Sequence, residues 1–278
     1  MLGHVLKKIL PLSLRTPLRM MALKASERFP LLTTFYMLFL YGILVRPTGK
    51  GQFLAHYKGM KLLFPRSELE TFLEVICVNV YEQAYRVQNG DVVIDVGASI
   101  GLFTLRAANE AGKAGQVVAI EPEPKNLALL RHNVHSHGLT NVKIVGKACG
   151  RYKARVPLYL HPGHDLHSLF KVSGNAIEVE MDSLDNMVSD LALGHVDFIK
   201  IDAEGAELEV LKGAEKILNL PNIRLAIAGY HILPDGSSEL PGIVSWLIPR
   251  GFEIHTKDSA YIYASKENRG VLTAQMGN

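Results

Sequence analysis

Asp91-Val92-Val93-Ile94-Asp95-Val96-Gly97-Ala98-Ser99-Ile100-Gly101 decides the fold. Val92 to Val96 are apolar and β-branched apart from Asp95, which predicts a short buried strand. Small residues follow, and Leu102-Phe103-Thr104-Leu105 then reads as the opening of a helix. Strand, tight turn and helix start form the unit that sets backbone N–H groups against a ligand. Glycine suits the turn because it accepts positive φ and lets a ligand approach the backbone.

The spacing narrows the ligand. The glycines fall as Gly97-x-x-x-Gly101 with Ser99 between them, not as the dinucleotide G-x-G-x-x-G. One acid, Asp95, precedes the turn. A second, Glu121, ends the next apolar run, Val117-Val118-Ala119-Ile120, where a ribose acceptor belongs. Two such acids suit a nucleoside without a pyrophosphate. S-adenosylmethionine fits, because its ammonium needs a carboxylate and its ribose needs an acceptor. The candidate cofactor residues are Asp95, Gly97, Ser99, Gly101, Glu121 and Pro122.

Outward from this unit, strands and helices alternate. Helix 100–111, strand 116–121, helix 124–137 opened by Pro124, and strand 142–146 come first. Strands at 156–160 and 177–181 flank a loop, His161 to Gly174, and a short helix covers 182–191. Strand 196–201, helix 206–218, strand 224–229 and helix 240–248 precede a closing pair of strands around Lys257-Asp258. The pattern predicts a doubly wound α/β sheet, mostly parallel and seven-stranded. The last two strands lie too close together for a helical crossover, so the final strand is antiparallel. Upstream, Lys58-Gly59 marks a hairpin turn, and Ser67 with Glu70 reads as a capping box for a helix to about Ala84.

The central stretch Phe198-Ile199-Lys200-Ile201-Asp202-Ala203-Glu204-Gly205 ends in two carboxylates. In such sheets ligands bind beyond the carboxyl ends of the strands, where the strand order reverses. Asp202 and Glu204 are therefore candidate catalytic residues, although acids there would also serve a helix N-terminus. Lys200 inside an apolar strand needs a partner, and the period of two points to Asp202. The following strand ends at Ala228-Gly229-Tyr230-His231, which brings His231 to the same edge as a third candidate. His161, His164 and His167 sit three residues apart in a Gly/Pro loop, a weak signal for a metal site. No residue pattern demands a metal. A divalent cation on Asp202 and Glu204 is left open.

The chain has 278 residues, 48% of them hydrophobic, enough for one large domain and an extension. A net charge of +3 gives no case for a nucleic-acid partner. Cys77 and Cys149 form no disulfide or metal pattern, which fits a reducing, cytoplasmic setting. Residues 1–50 form a separate helical extension before a catalytic domain at 51–278. Lys7, Lys8, Arg15, Arg19, Lys24 and Arg28 lead into a charge-free run, Phe29 to Val45. As a helix that run would be about 25 Å long, short for a hydrocarbon core of about 30 Å. Packing on the domain, lying at a membrane surface and spanning all stay open, so residues 1–46 are a candidate peripheral membrane contact.

Val93 to Thr104, Glu121-Pro122-Glu123-Pro124-Lys125-Asn126-Leu127, and Phe198 to Ala214 together resemble the FkbM family of S-adenosylmethionine-dependent methyltransferases. The third stretch is the most specific. The resemblance implies a class I methyltransferase fold, Rossmann-like, and methyl transfer to an oxygen, often a hydroxyl of a sugar or natural product. It puts Asp95, Gly97 and Glu121 at cofactor positions and Asp202, Glu204 and Gly205 in its later motif. Two positions depart from it: Ser99 stands where Asn is common, and Arg151 stands where an acid would meet the adenine edge. The expected partner is a small-molecule or glycan- or lipid-linked methyl acceptor. Two rivals are a nicotinamide-dependent oxidoreductase, opposed by the missing third glycine, and a non-catalytic membrane-associated binding protein, opposed by the intact acids.

Overall fold

The computed structural model describes residues 42–48, 51–57, 59–160, 169, 175–257 and 261–266. The predicted N-terminal helix up to residue 41 and the three loop histidines lie outside these residues. The end of the apolar run is described and is not helical. Leu44–Pro47 form β1, which pairs antiparallel with β2 (Gln52–Tyr57), itself paired with β3 (Met60–Pro65). Ile43 is buried. Phe53, Phe64 and Phe72 cluster beneath this small sheet, Phe64 and Phe72 stacking with ring centres 4.6 Å apart. Among the described residues no helix is long and apolar enough to cross a membrane.

The predicted helix 67–84 is broken into pieces. A 3-10 turn, Arg66–Glu68, leads into α1 (Leu69–Phe72), which widens into a π-helical stretch, Leu73–Val78. Asn79 then adopts φ 59°, and a second 3-10 turn covers Val80–Glu82. No side chain caps the start of either the first turn or α1, so the capping box does not form there. The left-handed break points Tyr81 and Glu82 inward, where both are buried. Glu82 is charge-paired with Arg106 at 2.5 Å and accepts Val87 N–H at 2.9 Å.

The alternating core follows: β4 (Val92–Val96), α2 (Leu102–Ala111), β5 (Gln116–Ile120), α3 (Pro124–Ser136) and β6 (Val142–Val145). Three further strands, β7 (Ala148–Gly150), β8 (Ala154–Tyr159) and β9 (Ala176–Ser183), make a separate sheet ordered β7-β9-β8. Sequence reading missed β7, a three-residue strand too short to show periodicity. Then come α4 (Leu184–Asp190), β10 (Phe198–Ile201), α5 (Glu207–Lys212), β11 (Arg224–Ala228), α6 (Leu240–Leu247), β12 (Glu253–Lys257) and β13 (Tyr261–Ser265). Helix α5 stops six residues before the predicted end. Gly213, just past it, lies so close to Gly150 of β7 that a Cβ would stand 2.0 Å from the carbonyl oxygen.

The central sheet has seven strands in the order β12-β13-β11-β10-β4-β5-β6. Pairings from β6 to β11 are parallel, and β13 runs antiparallel to both neighbours. Both faces are covered, which is why β4 is buried at every residue. Val93 packs with Phe103, Val117 and Phe198 on one side. Its neighbour Ile94 packs with Val118, Ile199 and Leu211 on the other. The order reverses between β4 and β10, and the candidate site residues lie at the carboxyl ends of the strands there.

Candidate active site

The turn after β4 is built on positive φ at Gly97 (71°), Ser99 (49°) and Gly101 (91°). A side chain at Gly97 would stand 1.8 Å from the Asp202 carbonyl oxygen, so the turn lies directly against the end of β10. Asp202 N–H donates to the Val96 carbonyl at 3.1 Å and fastens the two strand ends together. Glu121 spans the turn from the β5 side, accepting Ser99 N–H at 2.8 Å and Glu123 N–H at 2.9 Å. Its burial pushes the carboxyl up to about 7, against the lowering effect of those backbone bonds. Pro122, half-buried, follows it. Ser99 Oγ is buried without a hydrogen-bond partner.

Asp95 occupies a different place from the one its spacing suggested. It is 0% exposed, accepts the Thr104 hydroxyl at 2.5 Å, and lies 3.0 Å from Lys200 Nζ. Lys200 also donates to the carbonyls of Val96 (3.1 Å) and Gly97 (2.6 Å). The expected Lys200–Asp202 pair is thus replaced by Lys200–Asp95. The two residues are register partners on adjacent strands. Their ion pair sits under the turn and shapes it from below.

Beyond β10 the acids collect around one imidazole. His231 Nδ1 lies 3.0 Å from Glu207 Oε1. Nε2 lies 3.3 Å from Glu204 Oε2 and 3.6 Å from Asp202 Oδ1. Burial alone would lower the imidazole pKa, but Glu204 and Glu207 carry it up to about 11. Glu204 takes φ 52°, a strained backbone for a side-chain-bearing residue. Glu207 is fully buried, accepting backbone N–H from Ala203 at 2.7 Å and Gly205 at 3.0 Å. Burial and its contact with Glu207 push Glu239 up to about 9. Tyr81 reaches in from the N-terminal segment and donates to Asp202 Oδ2 at 2.5 Å. Tyr261 packs edge-on to both Tyr81 and Tyr230. Tyr230 is 43% exposed and Ile232 66% exposed, leaving an apolar rim beside the acids.

The structure therefore gathers Asp202, Glu204 and His231, and separately Gly97, Ser99, Gly101, Glu121 and Pro122, at one edge. It leaves Asp95 beneath them. Sequence reading missed Tyr81, Glu207 and Glu239. For Glu207 a signal existed: an acid at the first position of a helix whose next turn is buried apolar. Tyr81 gave none, because its approach depends on the break at Asn79.

The methyltransferase FkbM domain family matches residues 95–254, more than half of the chain. The chain belongs to that family. It is 26% identical over 145 residues to Methyltransferase 1 of Beauveria bassiana, covering 44% of this chain and 58% of the relative. It is 28% identical over 196 residues to the 31-O-demethyl-FK506 methyltransferase FkbM of Streptomyces tacrolimicus, covering 59% of this chain and 74% of the relative. A solved structure of a methyltransferase FkbM from Methylobacillus flagellatus superposes with TM-score 0.49 at 22% identity, over 73% of this chain and 56% of that one. Tyr81 and β1–β3 precede the family match. The family is one of methyltransferases, which opposes the nicotinamide-dependent oxidoreductase.

Proposed function

We propose that this chain is an S-adenosylmethionine-dependent O-methyltransferase acting on a hydroxyl of a sugar, glycolipid or other small molecule. One observation carries the reading. The glycine turn and the acid cluster are bonded edge to edge through Asp202 N–H and Val96 O, so two reactants would meet there. Bound there, S-adenosylmethionine would supply an electrophilic methyl group, its sulfur keeping the bonding electrons as an acceptor oxygen takes the carbon.

The residues of the chain fit that use. The turn 97–101 offers its backbone, Glu121 a carboxylate for ribose hydroxyls, and Ser99 Oγ an unfilled hydrogen bond. Asp95 and Lys200 hold the turn's shape. On the other side, Tyr230 and Ile232 offer an apolar face next to carboxylates, which suits a hydroxyl-bearing ring. A hydroxyl is a weak nucleophile at neutral pH and needs a base. The acids around His231 favour its charged form, which makes it a poor base. Asp202 Oδ2 accepts from Tyr81, and Glu204, whose burial raises its carboxyl to about 7, stands at the same edge to receive the hydroxyl proton.

Calorimetry of the chain with S-adenosylmethionine and with NAD tests the cofactor. Transfer of a labelled methyl group to a panel of hydroxyl- and amine-bearing acceptors tests the chemistry. Labelling confined to amines would overturn the O-methyl assignment. The basic segment 7–28 and the apolar run after it support a peripheral membrane contact, worth about 1 kcal/mol per cation near an anionic leaflet. Ile43 and β1 belong to the domain's packing, so fractionation should compare the full chain with one beginning at Gly42, not at Gly51. Equal partition of the two into the soluble fraction removes the membrane contact.

A further inference from the structure

The cluster around His231 holds more than an acid and a base need. One carboxylate oxygen each from Asp202 and Glu207 and one ring nitrogen of His231 all lie within 4.8 Å of one another. That is the span of ligand atoms that share one cation at bond lengths of about 2.0–2.6 Å. The His231 side chain is nine-tenths buried, at 10% exposure, and Glu207 is fully buried. Neither ring nitrogen of His231 makes a geometrically sound hydrogen bond, and Asp202 Oδ1 has no hydrogen-bond partner. The nitrogens stand 3.0–3.6 Å from carboxylate oxygens, yet no N–H runs along the line to an oxygen. Buried donors and acceptors at such distances normally align. Here Glu207 faces Nδ1 while Glu204 and Asp202 face Nε2, so the acids ring the imidazole without aligned bonds. Among the described residues the ion-pair partner of Asp202 and Glu207 is His231, because Lys200 is committed to Asp95.

We infer that Asp202, Glu207 and His231 form a binding site for one divalent cation, which would take the place of the imidazolium proton of His231, with Glu204 beside it. The inference rests on the methyltransferase reading for its use but not for its detection. Two carboxylates with one imidazole suit a cation of the Mn²⁺ or Mg²⁺ type, with Mn²⁺ favoured by the nitrogen ligand. Glu207 is itself fixed by the backbone N–H groups of Ala203 and Gly205, and Leu208 N–H donates to Glu239 at 2.9 Å behind it. Such outer bonds hold ligands in place. At this position, beside the turn and against the tyrosine rim, a cation would bind an acceptor hydroxyl and make its proton easier to give up.

The experiment uses the full chain stripped with chelator and titrated with Mn²⁺ alone, following the loss of the free-ion resonance signal. One ion per chain is expected. Pulsed resonance on that complex should show coupling to an imidazole nitrogen, a readout that needs no variant. Asp202→Asn and His231→Ala should abolish binding, and Glu239→Gln should weaken it by about 10–100-fold. Glu215→Gln, at an exposed acid elsewhere, should leave it unchanged. Circular dichroism confirms that each variant is folded. No bound Mn²⁺, or Mn²⁺ without nitrogen coupling and equally tight in Asp202→Asn, overturns the site and leaves the cluster held by a proton. Binding of S-adenosylmethionine is measured separately. Its absence with Mn²⁺ bound would count against the methyltransferase reading alone.

Discussion

Two buried charged groups stand within one strand end of each other, and they are finished differently. Under the turn, Lys200 meets Asp95 and two carbonyls, and Asp95 also receives Thr104. Around His231, three acids approach one imidazole while Asp202 Oδ1 and both ring nitrogens lack a proper hydrogen bond. The first group has its charge neutralised inside the protein and belongs to the scaffold. The second leaves polar atoms without aligned hydrogen bonds, the feature on which the cation proposal rests.

The largest expected effect breaks the first group. Asp95→Ala leaves Lys200 as a buried charge without its carboxylate, at a cost of about 3–5 kcal/mol in unfolding free energy. Chemical denaturation measures it. A loss below about 1 kcal/mol would mean the ion pair is not scaffold, and the contrast between the two groups would collapse.

Next comes the second group. Glu204→Gln should lower turnover by about 10²-fold, the usual worth of a positioned acid or base, with the melting temperature little changed. If instead turnover is unchanged while the melting temperature falls, the cluster is structural like its neighbour.

A smaller effect sharpens the boundary between the two. Glu121 has a folded pKa raised from 4.5 to about 7. The folded chain therefore holds a proton that the unfolded chain has lost between those values, and this carboxyl's contribution to stability falls as pH rises across that window. Ribose hydroxyls donate to the charged form. Affinity for S-adenosylmethionine should accordingly rise with pH up to about 7 and then level, with proton release on binding below it. Glu121→Gln should flatten the profile and weaken binding by about 1.5–3 kcal/mol. Calorimetry in buffers of different ionisation enthalpy reads the proton. A wild-type profile that is already flat would remove Glu121 from the cofactor site.

The smallest effect concerns Tyr81, which lies outside the family match. Tyr81→Phe removes one hydrogen bond to a carboxylate, Asp202. It should lower turnover without changing affinity for S-adenosylmethionine. Equal losses in both would place Tyr81 in support of the fold rather than of Asp202.

The layered fold, the antiparallel close and the strand edge that carries the glycine turn and the acids were legible in the sequence alone. Those rest on period, on strand length and on glycines at positive φ, all of which are local. It also named five of the residues at that edge that carry charge or a hydroxyl: Ser99, Glu121, Asp202, Glu204 and His231. What it could not determine was pairing. Lys200 shares a strand face with Asp202, but register with β4 sets it beside Asp95, and register between strands is not a property of either strand alone. The break at Asn79 that sends Tyr81 to Asp202, and the approach of Glu207 to His231 across two separate elements, were likewise settled by packing. Only packing settled which acid meets Lys200 and which meet His231, because a carboxylate's partner is brought to it from a distant part of the chain.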